Sequence, residues 1–391
     1  MKVLMIAPEP FFQPRGTCFS VLYRLKVLAS LGHQTDLVTY PLGEDVAIPG
    51  VRIFRIMKPP FVKKVKVGPS WNKLLLDFLV FAKSARMLRA QQYDVIHTHE
   101  EASFMAVPLA KAFGTRHLYD MHSSLPQQLA NFRFCNYHPF PFLFRQLERL
   151  VIDTCDGVIT ICPELHDYVK QINSNRRQVL IENLGEAWES ASAPKDETKL
   201  RQLKDTLRLD SRPVVLFTGT FERYQGLDLL LDSACLVSRQ HPESLFVLVG
   251  GNAAQVESLS ARSKEKGLNG QVIFTGTVPS SEVPYYIELA QVLVSPRIEG
   301  SNTPLKIYAY LNSGRPIVAT NLTTHTQVLN PKVALLTDPR PETFARGIIR
   351  LLEDAELRQT MASQAKKLME EKYSYRSFVS RTKEIYDGLG R

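Results

Sequence analysis

At 391 residues the chain is too long for a single hydrophobic core, and two domains are expected. Its 44% hydrophobic and 22% charged residues are ordinary for a soluble globular protein, and no apolar run approaches the roughly 20 residues that span a bilayer. The net charge of +9 favours anionic partners without choosing among nucleotides, acidic sugars, anionic lipid surfaces and nucleic acid.

The chain opens on an apolar run, Val3 to Ala7, too short for a signal peptide and stopped by Pro8, which reads as a buried first strand. A Pro/Gly loop follows, then a helical pattern through Val21, Leu25 and Leu28 that closes at Gly32. Further strands are expected at Thr35 to Thr39, Asp94 to His97, Arg116 to Tyr119, Gly157 to Ile161 and Gln178 to Ile181. After a polar stretch, Glu186 to Asp210, a second set is expected at Val214 to Thr218, Leu245 to Val249, Val272 to Thr275, Val292 to Ser295, Pro316 to Thr320 and Val333 to Leu336. Helical patterns such as Leu227 to Arg239 and Pro304 to Asn312 separate them, and the tail from Pro341 to Leu389 reads as successive amphipathic helices. Strands alternating with helices imply parallel sheets and an α/β class, with two doubly wound units. Ligands on such sheets bind at the carboxyl ends of strands, where the strand order switches.

The five cysteines, Cys18, Cys135, Cys155, Cys162 and Cys235, form no C-x-x-C pair and suit a reduced, cytoplasmic compartment. The first strand is not followed by G-x-G-x-x-G, which argues against a dehydrogenase, and the phosphate-cleaving NTPase loop is absent too.

The segment from Ser295 to Thr320 is the most informative. A strand ends at Ser295, a polar loop follows, and Thr303-Pro304 is expected to open a helix as N-cap and first helical residue. The free N–H groups of Leu305 and Lys306, with the Lys306 charge, would then form an anion site. A plain strand-loop-helix unit is the competing reading.

In order and spacing, four further stretches join this one. They are Gln13-Pro14-Arg15-Gly16-Thr17 with Gly32-His33, Asp94-Val95-Ile96-His97-Thr98-His99, Thr218 to Asp228, and Tyr373-Ser374-Tyr375 with the helix to Tyr386. Over nearly its whole length the chain resembles the retaining glycosyltransferases of family 4, in the branch with a P-L-K-[IL]-[YF]-E-Y helix. The resemblance implies the GT-B fold, two Rossmann-like domains facing across a cleft: 1–188 for the acceptor, 189–371 for the nucleotide sugar, and a helix at 372–391 crossing back. It also implies Glu299 on the donor sugar hydroxyls, with Asn302, Thr303, Pro304, Leu305 and Lys306 around the diphosphate. Gly16 and Gly219 would let loops approach the phosphates, and His122, after a strand, would contact the sugar.

Two features depart from the family pattern. Ala309 stands where the second acidic residue, which accepts from the ribose, is expected, a loss of about 1.5–3 kcal/mol of donor binding. The Arg and Lys of the first phosphate loop are replaced by Thr220 and Gln225, with Arg223 between them as a candidate substitute or a solvated loop residue. The resemblance further implies sugar transfer with retention, no metal and no cofactor, a UDP-sugar as donor, and a glycan or lipid-linked acceptor. Basic residues from Lys58 to Lys66, the apolar stretch Trp71 to Leu88 and the aromatics of 132–144 suit a peripheral membrane contact through residues 58–88 and 132–144. A core helix with a solvated basic face fits them as well. A non-catalytic nucleotide- or glycan-binding member and a nucleotide-sugar epimerase are the alternatives; nucleic-acid binding has no motif to support it.

Overall fold

The computed structural model describes residues 1–13, 17–60, 62, 65, 71–124, 139–182, 196–300 and 302–390. Chain contacts divide the protein into two units, Met1–Asn183 with Arg376–Arg391, and Leu184–Tyr375. The expected boundary at 188/189 falls outside the described residues, as do Gly16, most of the 61–70 stretch and the aromatic segment 132–138.

The first unit is built on a seven-stranded sheet: β1 (Lys2–Ala7), β2 (Gln34–Thr39), β3 (Val51–Arg55), β4 (Val95–His99), β5 (Arg116–Met121), β6 (Gly157–Thr160) and β7 (Gln178–Leu180). The order is β3-β2-β1-β4-β5-β6-β7 with every neighbour parallel. Helices cover both faces of such a sheet, so its inner strands are short and almost wholly buried, and β1 is an unbroken apolar run after Lys2. β3 is not: Arg52 and Arg55 interrupt its apolar residues, and as an edge strand it stays half-covered. Leu4, Ile6, Val38 and Ile96 pack against Leu76 and Val80 of helix Trp71–Ala90 on one side. Tyr119, Met121 and Val158 meet Val151 and Ile152 of helix Pro139–Thr154 in a second cluster.

Helix Tyr375–Leu389 returns the chain to this unit. Arg381 donates to the Leu180 carbonyl at 3.0 Å and to Glu182 at 2.7 Å, and the Tyr386 hydroxyl lies 2.7 Å from His97 Nδ1. Ile385 and Leu389 rest where Gly157 leaves room, since a Cβ there would stand 3.2 Å from Ile385 Cδ1 and 3.6 Å from Leu389.

The second unit holds β8 (Val214–Thr218), β9 (Leu245–Val249), β10 (Val272–Gly276), β11 (Val292–Ser295), β12 (Ile317–Thr320) and β13 (Leu335–Thr337). All six are parallel, in the order β10-β9-β8-β11-β12-β13. The core joins Phe217, Phe246, Leu248 and Val294 to Leu230 and Leu231 of helix Leu227–Gln240 and Phe344 and Ile348 of helix Pro341–Glu353. In each sheet the strand order reverses beside the first strand of the unit, between β1 and β4 and between β8 and β11, which opens a crevice at their carboxyl ends.

Among the described residues no helix is long and apolar enough to cross a membrane. Cys18, Cys155 and Cys162 are buried free thiols and Cys235 is half-buried.

Candidate functional site

At the β8/β11 switch the strand ends lead into two loops that share a buried floor. Gly219 follows β8 at φ +140°, a conformation side-chain-bearing residues avoid, and its N–H donates to the Val249 carbonyl at 2.9 Å. The missing Cβ matters: it would sit 3.3 Å from Lys306 Nζ. The Lys306 ammonium lies 3.6 Å above the Phe217 ring and donates to Gln225 Oε1 at 3.1 Å. No carboxylate pairs with it among the described residues. Burial, and after it the charge of Arg297, holds its pKa well below the ordinary lysine value.

The second loop hangs from β11. The Arg297 guanidinium donates through Nη1 to the Asn302 carbonyl at 2.8 Å and the Thr324 hydroxyl at 3.0 Å, and stacks 4.9 Å from the Tyr224 ring centroid. Its carbonyl accepts from Thr320 Oγ1 at 2.5 Å, and Thr324 Oγ1 donates to the Asn302 carbonyl at 2.7 Å, so Asn302 is fixed through its backbone. The Thr303 hydroxyl is buried without a partner among the described residues. Below the loop, His325 Nδ1 faces the Thr320 carbonyl at 2.9 Å and Nε2 faces Ser295 Oγ at 2.8 Å, an arrangement that suits a neutral ring. Burial lowers its pKa to about 3.

Here the sequence expectation needs correcting. Thr303 does not cap a helix opening at Pro304; the helix runs Lys306–Ser313 with Leu305 as its cap residue and no side-chain cap. The Asn302 carbonyl is already held by Arg297 and Thr324, which ties this part of the loop outside the helix. Ile307 and Tyr308 donate back to the carbonyls of Pro304 and Leu305, leaving the Leu305 and Lys306 N–H groups without acceptors among the described residues. The Lys306 ammonium thus meets Gly219; Thr303 and Leu305 precede it in the chain, and half-buried Ala309 follows it by three residues on the same helix. Glu299 is exposed. Arg223, in a short 3₁₀ turn, is exposed as well, whereas Arg297 is the half-buried arginine of these two loops and was not singled out in the sequence.

At the β1/β4 switch of the first unit a buried polar network replaces the usual apolar filling. Arg24, from helix Thr17–Ser30, donates to Asp120 Oδ2 at 2.9 Å, both fully buried. His97 and His122 approach the Asp120 carboxylate at 3.4 Å each, and His99 Nδ1 lies 3.0 Å from His122 Nε2. His97, His99 and Asp120 could in spacing hold a metal ion, their ligand atoms lying within 4.8 Å of one another. Arg24 already neutralises Asp120, however, so a metal would meet a guanidinium on the same carboxylate. At the strand ends beside this network lie Glu9, Glu100 and Glu101. Lys73 donates to Glu101 at 2.7 Å, Ser123 to Glu100 at 3.1 Å and Tyr40 to Asp77 at 2.5 Å. Lys73, on helix Trp71–Ala90, is a counterion to Glu101.

Two family descriptions match the chain: "Glycosyl transferase 4-like domain" over residues 21–183 and "Glycosyl transferases group 1" over residues 199–368. The alpha-D-kanosaminyltransferase of Streptomyces kanamyceticus is 23% identical over 338 residues, covering 82% of this chain and 83% of its own. Among solved structures, sucrose-phosphate synthase of Thermosynechococcus elongatus superposes at a TM-score of 0.76 with 19% identity, covering 100% of this chain and 99% of the other. The Anabaena protein HepE in complex with UDP gives 0.76 and 17% over 100% of both chains, and its complex with UDP-glucose gives 0.73 and 16% over 100% and 99%. The chain is a family-4-type glycosyltransferase of the GT-B fold.

Electrostatics of the first unit give this glycosyltransferase a defined pH response. Burial keeps His97, His99 and His122 below the ordinary 6.5 and takes His117 to about 3. Burial, reinforced by the Glu101 charge, raises Glu100 to about 8 and Asp77 to about 7, and burial raises Glu9 to about 7. The unfolded chain binds more protons at the histidines below 6.5, so their stabilisation is lost as pH falls from there. The acids work the other way: protonated in the fold, they contribute fully below their ordinary values (4.5 for the glutamates) and lose that contribution as pH climbs toward 7–8. Stability of the first unit is therefore expected to peak between about pH 4.5 and 6.5, changing by about 1.4 kcal/mol per pH unit for each unbalanced group. Urea unfolding read by hydrogen exchange in β4 and β5 checks this; a midpoint still rising between about pH 7 and 9 contradicts it.

Proposed function

We propose that this glycosyltransferase takes its sugar from a nucleoside-diphosphate donor held in the second unit and transfers it with retention of anomeric configuration, without a metal or other cofactor. The observation that carries this reading is the half-buried Lys306 ammonium beside Gly219, with no carboxylate to neutralise it among the described residues. A diphosphate would supply the missing charge and accept from the Leu305 and Lys306 N–H groups and the unpartnered Thr303 hydroxyl. Those same groups would stabilise the charge that grows on the leaving diphosphate as the sugar departs. Glu299, exposed at the loop tip, is free to take the sugar hydroxyls. A uridine donor draws support from HepE, solved with UDP and with UDP-glucose.

The acceptor is assigned to the first unit as a glycan or lipid-linked alcohol, with His122, Glu9 and Glu100 as the polar groups at its β1/β4 crevice. Leu74, Leu75 and Phe78 on helix Trp71–Ala90, and Phe142 and Leu143 on helix Pro139–Thr154, are exposed and support peripheral contact with a cytoplasmic membrane face. Flotation with anionic vesicles tests that part; protein left in the soluble fraction at low salt removes it.

Ala309 gives a second reading some footing, a member that binds nucleotide weakly and does not turn over. Thermal-shift titration with UDP, GDP, ADP and dTDP and their sugars separates the two, because a ligand bound only to the fold raises the melting point. One nucleotide is expected to stabilise selectively, and Ala309→Glu to bind it about ten- to hundredfold more tightly through the restored ribose contact. No shift with any nucleotide, for either protein, abandons the donor assignment.

A further inference from the structure

We propose that Arg297 supplies the second positive charge for the donor diphosphate, the place left empty in the first phosphate loop by Thr220 and Gln225. The proposal rests on the donor reading above and goes past it in naming a cation that the family motif does not supply. Position comes first. Arg297 leaves β11 at its carboxyl end, across the strand-order switch from Gly219, where the crevice of a doubly wound sheet lies. Arg223 is exposed in its 3₁₀ turn, with Gly226 at φ +71° behind it; a Cβ at Gly226 would stand 2.0 Å from the Pro296 carbonyl, so the two loops are locked back to back.

Charge comes second. Among the described residues the hydrogen-bond partners of the Arg297 side chain are neutral: the Asn302 carbonyl and the Thr324 hydroxyl. Its Nε is buried without an acceptor, and no carboxylate pairs with it among the described residues. Burial depresses its pKa, and its charge is felt at Lys306. A fold that needed only a brace for the 297–303 loop would be served by a neutral donor; a half-buried guanidinium whose charge is felt at Lys306 destabilises the empty site unless an anion joins them. Gly300, at φ +120°, keeps the fork clear, since a Cβ there would stand 2.7 Å from Nη2. The planar fork suits two oxygens of one phosphate better than an ammonium does.

Calorimetric titration of the full chain with inorganic pyrophosphate and with UDP, GDP, ADP and dTDP, each beside its free nucleoside, tests this in wild type, Arg297→Gln and Arg297→Lys. Arg297→Gln is expected to weaken pyrophosphate and the bound nucleoside diphosphate about tenfold or more while nucleoside affinity stays within about twofold, with Arg297→Lys intermediate. A folded Arg297→Gln that binds pyrophosphate like wild type overturns the proposal and leaves the donor reading standing. A wild type that binds none of the diphosphates sinks both. Should Arg297→Gln fail to fold, phenylglyoxal labelling of wild type, read residue by residue by mass spectrometry, replaces it. Pyrophosphate is expected to protect Arg297, and equal labelling with and without it overturns the proposal.

Discussion

Replacing Lys306 by methionine is expected to lower kcat/KM for sugar transfer by about two to three orders of magnitude while leaving the folded protein as stable as wild type or more so. Both halves follow from one geometry. The ammonium is placed by the first turn of helix Lys306–Ser313, held by Gln225 at 3.1 Å and set over Phe217 at 3.6 Å, so it is ordered before any ligand arrives. Preorganised charge aimed at a leaving group is among the larger contributions an active site makes, and removing one such donor costs about 2.7–4 kcal/mol in the transition state. In the empty fold a charge at this place is disfavoured, desolvated and repelled by Arg297, so the amine holds its proton less tightly until an anion binds. Methionine fills the volume over the Phe217 ring without that charge, and each 1 kcal/mol recovered raises the melting point by about 2–4 °C in a unit of this size.

The wild-type site carries a matching pH signature. With the lysine pKa depressed in the empty protein and restored by a bound anion, donor binding takes up a proton. Affinity is expected to fall as pH rises, by at most about tenfold per pH unit, above the final phosphate ionisation near 6. Lys306→Met removes the slope. Titrations of the nucleoside diphosphate between about pH 7.5 and 9.5 decide the matter: a wild-type affinity flat across that range, or a Lys306→Met protein with full turnover, contradicts the placement of this charge.

How much of this can be read from the chain alone differs element by element. β8, β9 and β11 are legible to the residue because a strand covered on both faces must be an unbroken apolar run. β3 is not, because an edge strand has no such requirement. Thr303-Pro304 imitates a helix start, and only the hydrogen bonds around the Asn302 carbonyl show that the helix waits until Lys306. Arg297 sits one residue beyond Pro296 in a loop with no period to mark it, while Arg223, closer to the expected phosphate loop, draws attention and turns outward. The acids of the first unit were equally hidden. Glu9, Asp77 and Glu100 are far apart in sequence, and it is the parallel order of β1 and β4 that gathers the strand-end residues at one edge. Arg24 gives a fainter signal, a charge set among Val21, Leu25 and Leu28 on a helix whose residues are mostly buried.

That arginine carries the largest stability effect expected from a single change. Asp120→Asn keeps the shape of the carboxylate and removes its charge, leaving Arg24 buried without that counter-charge, its Nη1 and Nη2 without hydrogen-bond partners among the described residues and the Phe378 ring 4.8 Å away. Breaking a buried pair in this way costs about 3–5 kcal/mol, a large part of the 5–15 kcal/mol that holds a typical domain together. The Asp120 carboxyl shows the coupling: burial alone would raise its pKa, yet Arg24, with His122, His97 and His99 behind it, holds it well below the usual carboxylate range. Loss should spread to helix Tyr375–Leu389, because Phe378 stacks on Arg24 and Tyr386 bonds to His97 beside the same carboxylate. Hydrogen exchange in that helix is expected to accelerate together with β4 and β5, ahead of the second unit. The double variant Arg24→Leu with Asp120→Leu distinguishes a charge effect from a packing effect. Removing both charges should cost less than Asp120→Asn alone, since no unpaired ion remains. Urea midpoints for the single variant within about 1 kcal/mol of wild type, or a double variant worse than the single, would show that the pair does not hold this unit together.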